Sequence, residues 1–434
     1  MVNTDLTGHW AGYLALAIFV IAYGLVIAEE ALHLRKSVPV MIAAGLIWGL
    51  IGFVFTQMGA PDEVHRHAVE MIADYGELLL FLLVAITYVN TLEERRAFDL
   101  LRARLVARGL SYRRLFWLTG ILAFFLSAVL DNLTTTLVIG AVVLALGRDS
   151  PRFVTITAVS TVVAANAGGA FSPFGDITTL MVWQEGKLAF DDFFALFVPS
   201  VVNWLVPAVI LSFALPPGGP APAEETARVK PGVWGVVVLF ALTIITAVLF
   251  RNLLSLPPAL GMMLGLGYLQ LWAWALSSRA GRRKDGEMVL DSFHQMARVE
   301  WDTLLFFFGI IFAVGGLGVL GYLALASELL YTGLGPTTAN ILIGILSAIV
   351  DNIPLMFAVL KMDPGLSQGQ WLLITLTCGV GGSLLSVGSA AGVALMGQAR
   401  GTYTFMSHLK WSWAIALGYA ASIVVHLWLN ASMF

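Results

Sequence analysis

Two short stretches put the same polar pair inside apolar sequence. Ser127-Ala128-Val129-Leu130-Asp131-Asn132 is echoed by Ser347-Ala348-Ile349-Val350-Asp351-Asn352, with the aspartates 220 positions apart. A carboxylate beside an amide is costly wherever such a run is buried, and within a membrane an ionisable side chain is a functional-site hypothesis by default. Two more stretches mix glycine with hydroxyls: Asn166-Ala167-Gly168-Gly169-Ala170-Phe171-Ser172-Pro173-Phe174-Gly175-Asp176 and Gly379-Val380-Gly381-Gly382-Ser383-Leu384-Leu385-Ser386-Val387-Gly388-Ser389. These types suit a hard cation. Sodium or lithium leaving water needs carboxylate, amide, hydroxyl and carbonyl oxygens in place of its hydration shell. Asp131, Asn132, Thr134, Thr135 and Thr136 gather such groups at one point, and Ser172, Asp176, Thr178 and Thr179 at another. The second half offers Asp351, Asn352, Ser383, Ser386 and Ser389.

The glycines and Pro173 predict broken helices, because glycine relaxes backbone limits and proline removes a donor. A break frees carbonyls at one half-helix end and amides at the other, and the carbonyl end favours cations. Ser389 stands where the first half has Asp176, so the first half is richer in carboxylate. The metal ion is therefore expected at Asp131, Asn132 and Asp176, with Thr134, Thr135, Ser172, Thr178, Thr179, Asn352, Ser386 and Ser389 completing the candidate cation-binding set. Burial disfavours a charged carboxylate and a bound cation favours it, so proton and metal ion compete for the same oxygens. Asp131 and Asp176 are expected to alternate between protonated and ion-bound. Asp351 either joins them or completes the polar lining.

Plainer roles compete with these. An Asp-Asn pair at a helix end is ordinarily a cap; its recurrence within two apolar runs argues that capping is not its only role. Hydroxyls at the breaks can satisfy freed backbone groups, and Gly-Gly pairs suit close helix packing. Glu77 and Asp302 lie near span ends and read as interfacial. His33, His65, His67 and His408 lie near predicted loops and read as solvated.

Hydrophobic residues make up 59% and charged residues 12% of the 434 positions, and the mean hydropathy is +0.86. Soluble domains carry about 25% charged residues, so the chain reads as an all-α polytopic membrane protein. A crossing needs about 20 apolar residues. Full-length runs are 10–28, 38–56, 75–92, 193–214, 232–250, 254–277, 301–320 and 408–431, and the broken runs 152–186 and 369–399 raise the expectation to about ten full spans. The runs 115–147 and 337–360 carry the Asp-Asn pairs at mid-length. The second is too short to cross twice, so both are expected to be re-entrant helical hairpins. The first run, 10–28, lacks a basic leader and a cleavage pattern and reads as a retained span rather than a signal peptide.

Arginines at 95, 96, 102, 104, 108, 113 and 114, and Arg279, Arg282, Arg283, Lys284 and Arg298, place two loops in the cytoplasm. Acidic residues over 57–74 place that loop outside. Counting crossings from there puts both termini outside and inserts the two halves in opposite senses, as inverted-topology repeats do. The organisation is N-terminal scaffold spans over 1–74, a first repeat over 75–215 and a linker with two extra spans over 216–300. A second repeat follows over 301–434. The linker itself is expected at 216–231, and amphipathic connectors near 93–110 and 319–334. The one cysteine, Cys378, excludes an internal disulfide and a Cys/His metal cluster. No cofactor is expected, only the transported ions, and the arginine-rich loop is a topology determinant rather than a nucleic-acid patch.

At Asp131-Asn132-Leu133-Thr134-Thr135, at Asn166 through Thr179, at Asp351-Asn352-Ile353-Pro354-Leu355-Met356 and at Gly381 through Gly392, the chain resembles the NhaD-type sodium/proton antiporters of the ion transporter superfamily. The resemblance runs from about Glu77 to Trp428. It implies sodium or lithium efflux against proton entry through the inner (cell) membrane, a scaffold with a moving transport domain, a homodimer in the lipid bilayer, and no enzymatic activity. Dicarboxylate carriers of that superfamily have Ser-Asn-Thr at the hairpin tips, where this chain has Asp-Asn. The alternatives are an oxyanion (arsenite) or carboxylate carrier of the same fold, whose anion would meet repelling aspartates, and an intramembrane aspartyl enzyme. Against the enzyme, Pro173 precedes Phe174-Gly175-Asp176 where the protease motif has glycine, and no His-Glu-x-x-His stretch is present.

Overall fold

A backbone surrounded by hydrocarbon must satisfy its own hydrogen bonds, and a helix does so within one segment. Long apolar runs therefore become helices here. The computed structural model describes residues 5–106, 109–220, 230–279 and 290–434, and among these every regular element is helical. Met1 to Thr4, Arg108, Arg282, Arg283, Lys284 and most of the expected linker lie outside the described residues. Eight helices among the described residues are long and apolar enough to cross a membrane: Trp10–Ile27, Ser37–Gln57, Tyr112–Leu130, Asp192–Ser212, Val233–Leu254, Pro258–Ser278, Trp301–Val319 and Ser412–Leu429. Their exteriors stay apolar, with Val20, Ile21, Phe213, Val238, Leu253, Val424 and Trp428 exposed. Such a surface suits lipid and not water, so the protein is a multi-pass membrane protein.

The count is eight, or nine if Tyr322–Thr332 and Pro336–Leu346, bent by 117°, are taken as one span. The expectation of about ten counted two interrupted runs and 75–92, none of which is among the eight, while Tyr112–Leu130, expected as half of a hairpin, is long and apolar enough to cross. The interrupted runs divide into Pro151–Gly169 with Ile177–Gln184 and Gln368–Gly381 with Ala390–Ala399, and the second pieces hold only eight and ten residues. The run 75–92 is the C-terminal part of one 34-residue helix, Pro61–Glu94. The connectors expected near 93–110 and 319–334 appear as Ala97–Val106 and as Tyr322–Ser327 followed by Glu328–Thr332.

The chain divides into two compact units. One comprises Met1–Thr87, Leu242–Gly335 and Phe357–Pro364. In it Ser37–Gln57 packs on both Trp301–Val319 and Trp10–Ile27, the Trp48 indole donates to the Phe312 carbonyl (2.8 Å), and the Lys361 ammonium pairs with Asp74 (2.6 Å). The other comprises Tyr88–Ala241, Pro336–Met356 and Gly365–Phe434. In it Tyr112–Leu130 packs on Pro151–Gly169, Pro336–Leu346 on Gln368–Gly381, and Asn132–Leu146 on Ala390–Ala399.

Within that second unit the same contacts occur twice. The Ser127 hydroxyl donates to the Ala165 carbonyl (2.6 Å), and the Ser347 hydroxyl to the Cys378 carbonyl (2.7 Å). A side chain at Gly168 would strike the Phe124 carbonyl, and one at Gly381 would strike the Gly344 carbonyl. Small residues let these helix pairs approach backbone to backbone. Residues 165 and 168 correspond to 378 and 381 by one offset of 213 positions, and 124 and 127 to 344 and 347 by 220.

One expectation about histidine is overturned. His33 and His65 are exposed, but His408 is wholly buried. Its ring is drawn inside because both nitrogens find polar partners there, the Tyr403 hydroxyl and the Ser383 carbonyl. Backbone contact at Gly381 predicts that Gly381→Ala forces two helices apart, a cost of about 1–3 kcal/mol for overpacking. Gly45→Ala has open space around it and should be neutral or slightly stabilising, since alanine favours helix by about 0.5–1 kcal/mol. Melting temperatures in detergent check both; equal values would refute the close approach.

Candidate functional site

Asp176 is the N-cap of Ile177–Gln184, the helix that restarts after the first break. Its carboxylate accepts the Thr178 backbone N–H (3.1 Å). The Thr179 hydroxyl accepts the Asp176 N–H (3.2 Å) and donates to its carbonyl (2.7 Å). This reciprocal cap fixes the acid at the helix start. Two side-chain amides complete the cage. Asn132 donates to Asp176 Oδ2 (2.8 Å), and Asn352 donates to the same oxygen (3.1 Å). The asparagines of the two Asp-Asn pairs thus meet on one carboxylate, which is only 4% exposed. Every donor to it is neutral, and among the described residues it enters no salt bridge.

Asn166 extends the cage. It accepts from the Asn132 amide (3.0 Å) and donates to Ser389 Oγ (3.1 Å). Ser389 caps Ala390–Ala399, the helix that restarts after the second break. The residues at the two restart points, Asp176 and Ser389, are therefore joined through Asn166 and Asn132. Asn166 lies within the glycine-rich stretch but was not among the candidate ligands. The signal available was an amide in an otherwise apolar, small-residue helix. Cys378, also not a candidate, donates its thiol to the Asn352 carbonyl (3.3 Å).

Asp131 has a separate place. It links Tyr112–Leu130 to Asn132–Leu146, accepts the Thr134 N–H (2.8 Å) and hydroxyl (2.9 Å), and is half-buried. Its backbone has φ 68° and ψ 162°, a region open almost only to glycine and costing about 1–3 kcal/mol elsewhere. Strain of that kind is held where surrounding structure dictates it. Asp351 is also half-buried and accepts the Ile353 N–H (3.4 Å). Capping is thus part of what both acids do.

Of the other candidates, Ser172 accepts the Phe174 N–H (3.3 Å), and Thr134 and Thr179 serve the caps. Thr135 and Ser386 are wholly buried, and their hydroxyls lack a hydrogen-bond partner. A buried hydroxyl left unpaired calls for an explanation.

A family model described as "Citrate transporter" matches residues 13–379. The chain is 55% identical to the Na(+)/H(+) antiporter NhaD of Alkalimonas amylolytica, over 99% of this chain and 93% of that protein. It is 53% identical to the Na(+)/H(+) antiporter NhaD of Vibrio cholerae, over 99% of this chain and 94% of that one. It is 34% identical to Sodium/proton antiporter 1 of Arabidopsis thaliana, over 94% of this chain and 71% of that one.

Because an asparagine oxygen also accepts from a helix N–H, Asp131→Asn should melt within about a degree or two of the wild type. Asp131→Val should melt well below both, losing a cap worth about 1 kcal/mol and placing a branched side chain, which tolerates positive φ least, where the wild-type backbone is already strained. Detergent melting curves decide it; a valine variant as stable as the asparagine one removes the strain from Asp131.

Proposed function

This chain belongs to the NhaD family of sodium/proton antiporters, and from that membership we infer that it exchanges sodium or lithium for protons across the membrane by alternating access. One observation carries the reading: a buried carboxylate, Asp176, caged by neutral donors. Neutral donors stabilise a charge without cancelling it, and an uncompensated buried charge is expensive. A proton or a metal cation removes that cost, and one oxygen pair does not comfortably take both. Occupancy by one expels the other, and the exchange follows when only a neutralised site changes its exposure.

We assign the coupling to Asp131 and Asp176, with Asp351 lining the same site. Asn132, Asn352, Thr134, Ser172, Thr178, Thr179 and Ser389 supply surrounding polar groups. Thr135 and Ser386, whose hydroxyls lack a hydrogen-bond partner, supply free oxygens. The matching family description names citrate, yet the geometry disfavours an anion here. A helix N-terminus ready to hold an anion exists at Ile177, but the chain's own carboxylate already fills it. An aspartyl protease needs two acids sharing a proton, whereas Asp131 and Asp176 each cap a different helix.

The finer architecture is part of the same proposal. Segments 75–215 and 301–434 are inverted-topology repeats, a reading supported by contacts recurring at fixed offsets. The segments 115–147 and 337–360 are re-entrant hairpins, supported by helix breaks at Asp131 and Asp351. The stretches 152–186 and 369–399 are the broken helices, while 1–74 and 216–300 supply scaffold spans. Loop charge favours both termini outside a cell (inner) membrane. The protein works in the lipid bilayer as a homodimer.

In proteoliposomes, Asp176→Asn and Asp131→Asn should each abolish sodium-driven proton movement while remaining inserted and folded. In the wild type the apparent sodium KM should rise as pH falls, by up to about tenfold per unit for each proton displaced. Wild-type exchange in both variants, or a sodium KM indifferent to pH, would overturn the assignment.

A further inference from the structure

The second break is held from behind by residues that the exchange chemistry above does not use. After Ala390–Ala399 the chain forms a short helix, Phe405–Leu409, before the last span. His408, in that short helix, is wholly buried. Its Nε2 faces the Ser383 carbonyl at 2.8 Å. A carbonyl only accepts, so Nε2 carries the hydrogen. Nδ1 of the neutral ring then accepts from the Tyr403 hydroxyl at 2.7 Å, and Tyr403 is itself buried. Burial pushes the imidazole down to about 4, so the ring keeps this one tautomer across the neutral range. The next carbonyl, Leu384, accepts from the Ser412 hydroxyl at 2.6 Å.

These partners grip the break where it begins. The loop from Ser383 to Ser389 returns on itself, and a side chain at Gly382 would meet the Gly388 carbonyl and Ser389 Cβ. At its far end Ser389 Oγ receives Asn166, which accepts from Asn132, which donates to Asp176. A continuous series of contacts thus runs from the His408 ring to the carboxylate. The break itself leaves carbonyls that some donor must satisfy. A rigid ring with one fixed tautomer sets their direction, as a mobile water would not.

We propose that His408 is a positioning residue for the cation site: holding the Ser383 carbonyl, it fixes the loop on which Ser389 meets Asn166, and so sets the affinity of Asp176 for its cation. Tyr403 orients the ring, and Ser412 supports the neighbouring carbonyl. The proposal rests on sodium/proton exchange at Asp176 as read above. Outer partners that orient metal ligands typically change metal affinity by about 10–100-fold when lost.

The experiment measures sodium KM and kcat for proton movement in proteoliposomes, with wild type and Asp176→Asn alongside. His408→Leu should raise the sodium KM about tenfold or more while kcat changes less than about threefold. His408→Gln, whose amide N–H reaches as Nε2 does, should restore a KM near wild type. Tyr403→Phe and Ser412→Ala should raise KM in the same direction by less, and they carry the test if the leucine variant does not fold. A sodium KM unchanged in the folded His408→Leu protein overturns the proposal, as does an equal loss of kcat and gain of KM in both leucine and glutamine variants. An unchanged KM in both Tyr403→Phe and Ser412→Ala overturns it too. If the wild type itself shows no sodium-driven proton movement, the exchange reading fails instead, which the controls report separately.

Discussion

A carboxylate buried without a fixed positive partner is the constraint on which this structure turns. Asp176 is surrounded, not neutralised: two amides and one backbone N–H reach it. A lysine or arginine in their place would lock the acid in its charged form and leave nothing for a cation to do. An apolar pocket would keep it protonated and bind no ion. Neutral amides hold the balance between these extremes, because they lower the cost of charge without supplying the opposite one. On the proposed assignment of exchange to Asp176, binding a proton and binding a cation then become comparable events, and that parity is what exchange needs.

Matching contacts recur at two places in the chain, while the residues at the two helix restarts differ. Ser127 and Ser347 make matching bonds across matching helix pairs, and glycines permit matching backbone approaches. At the restart points the halves differ by one residue type: an acid at 176, a hydroxyl at 389. Each caps its helix, so the structural role tolerates either. Only Asp176 adds a titratable charge. A second acid joined to the same amides would raise the cost of charging the first. Replacing the second by serine keeps the fold and removes the conflict, while Asn166 and Asn132 still connect the two positions.

Much of this was legible in the residues, for a physical reason. Polar groups in apolar runs are rare enough to mark themselves, so Asp131, Asn132, Asp176 and Asn352 stand out in the sequence itself. Seven of the expected long spans appear within a few residues of their expected ends, because twenty apolar residues form a helix on composition alone. Asn166 and Cys378 were harder, since their importance lies in which neighbour they touch, not in their own chemistry. The burial of His408 is hidden in the sequence for a related reason. Its local sequence, near charged and polar residues, looks like a loop in water, and only tertiary packing brings Tyr403 and Ser383 around the ring. Orphaned hydroxyls such as Thr135 and Ser386 are invisible to sequence altogether, because satisfaction is a property of surroundings.

Asp131 shows why the acids cannot be judged by burial alone. Its carboxylate holds Thr134 by two bonds while its backbone sits where only glycine is comfortable. The helix-capping energy offsets that strain, so the carboxylate is engaged in keeping the tip bent. The Thr134 bonds and the backbone of Asp131 are thus tied together: the side chain that caps the next helix is carried by the strained residue itself. The peptide bond that follows belongs to Asn132, whose amide reaches Asp176. The strained backbone at Asp131 therefore lies one residue from the cage. Strained backbone, cage and cap are therefore neighbours within one short stretch of chain, from Asp131 through Asn132 to Thr134.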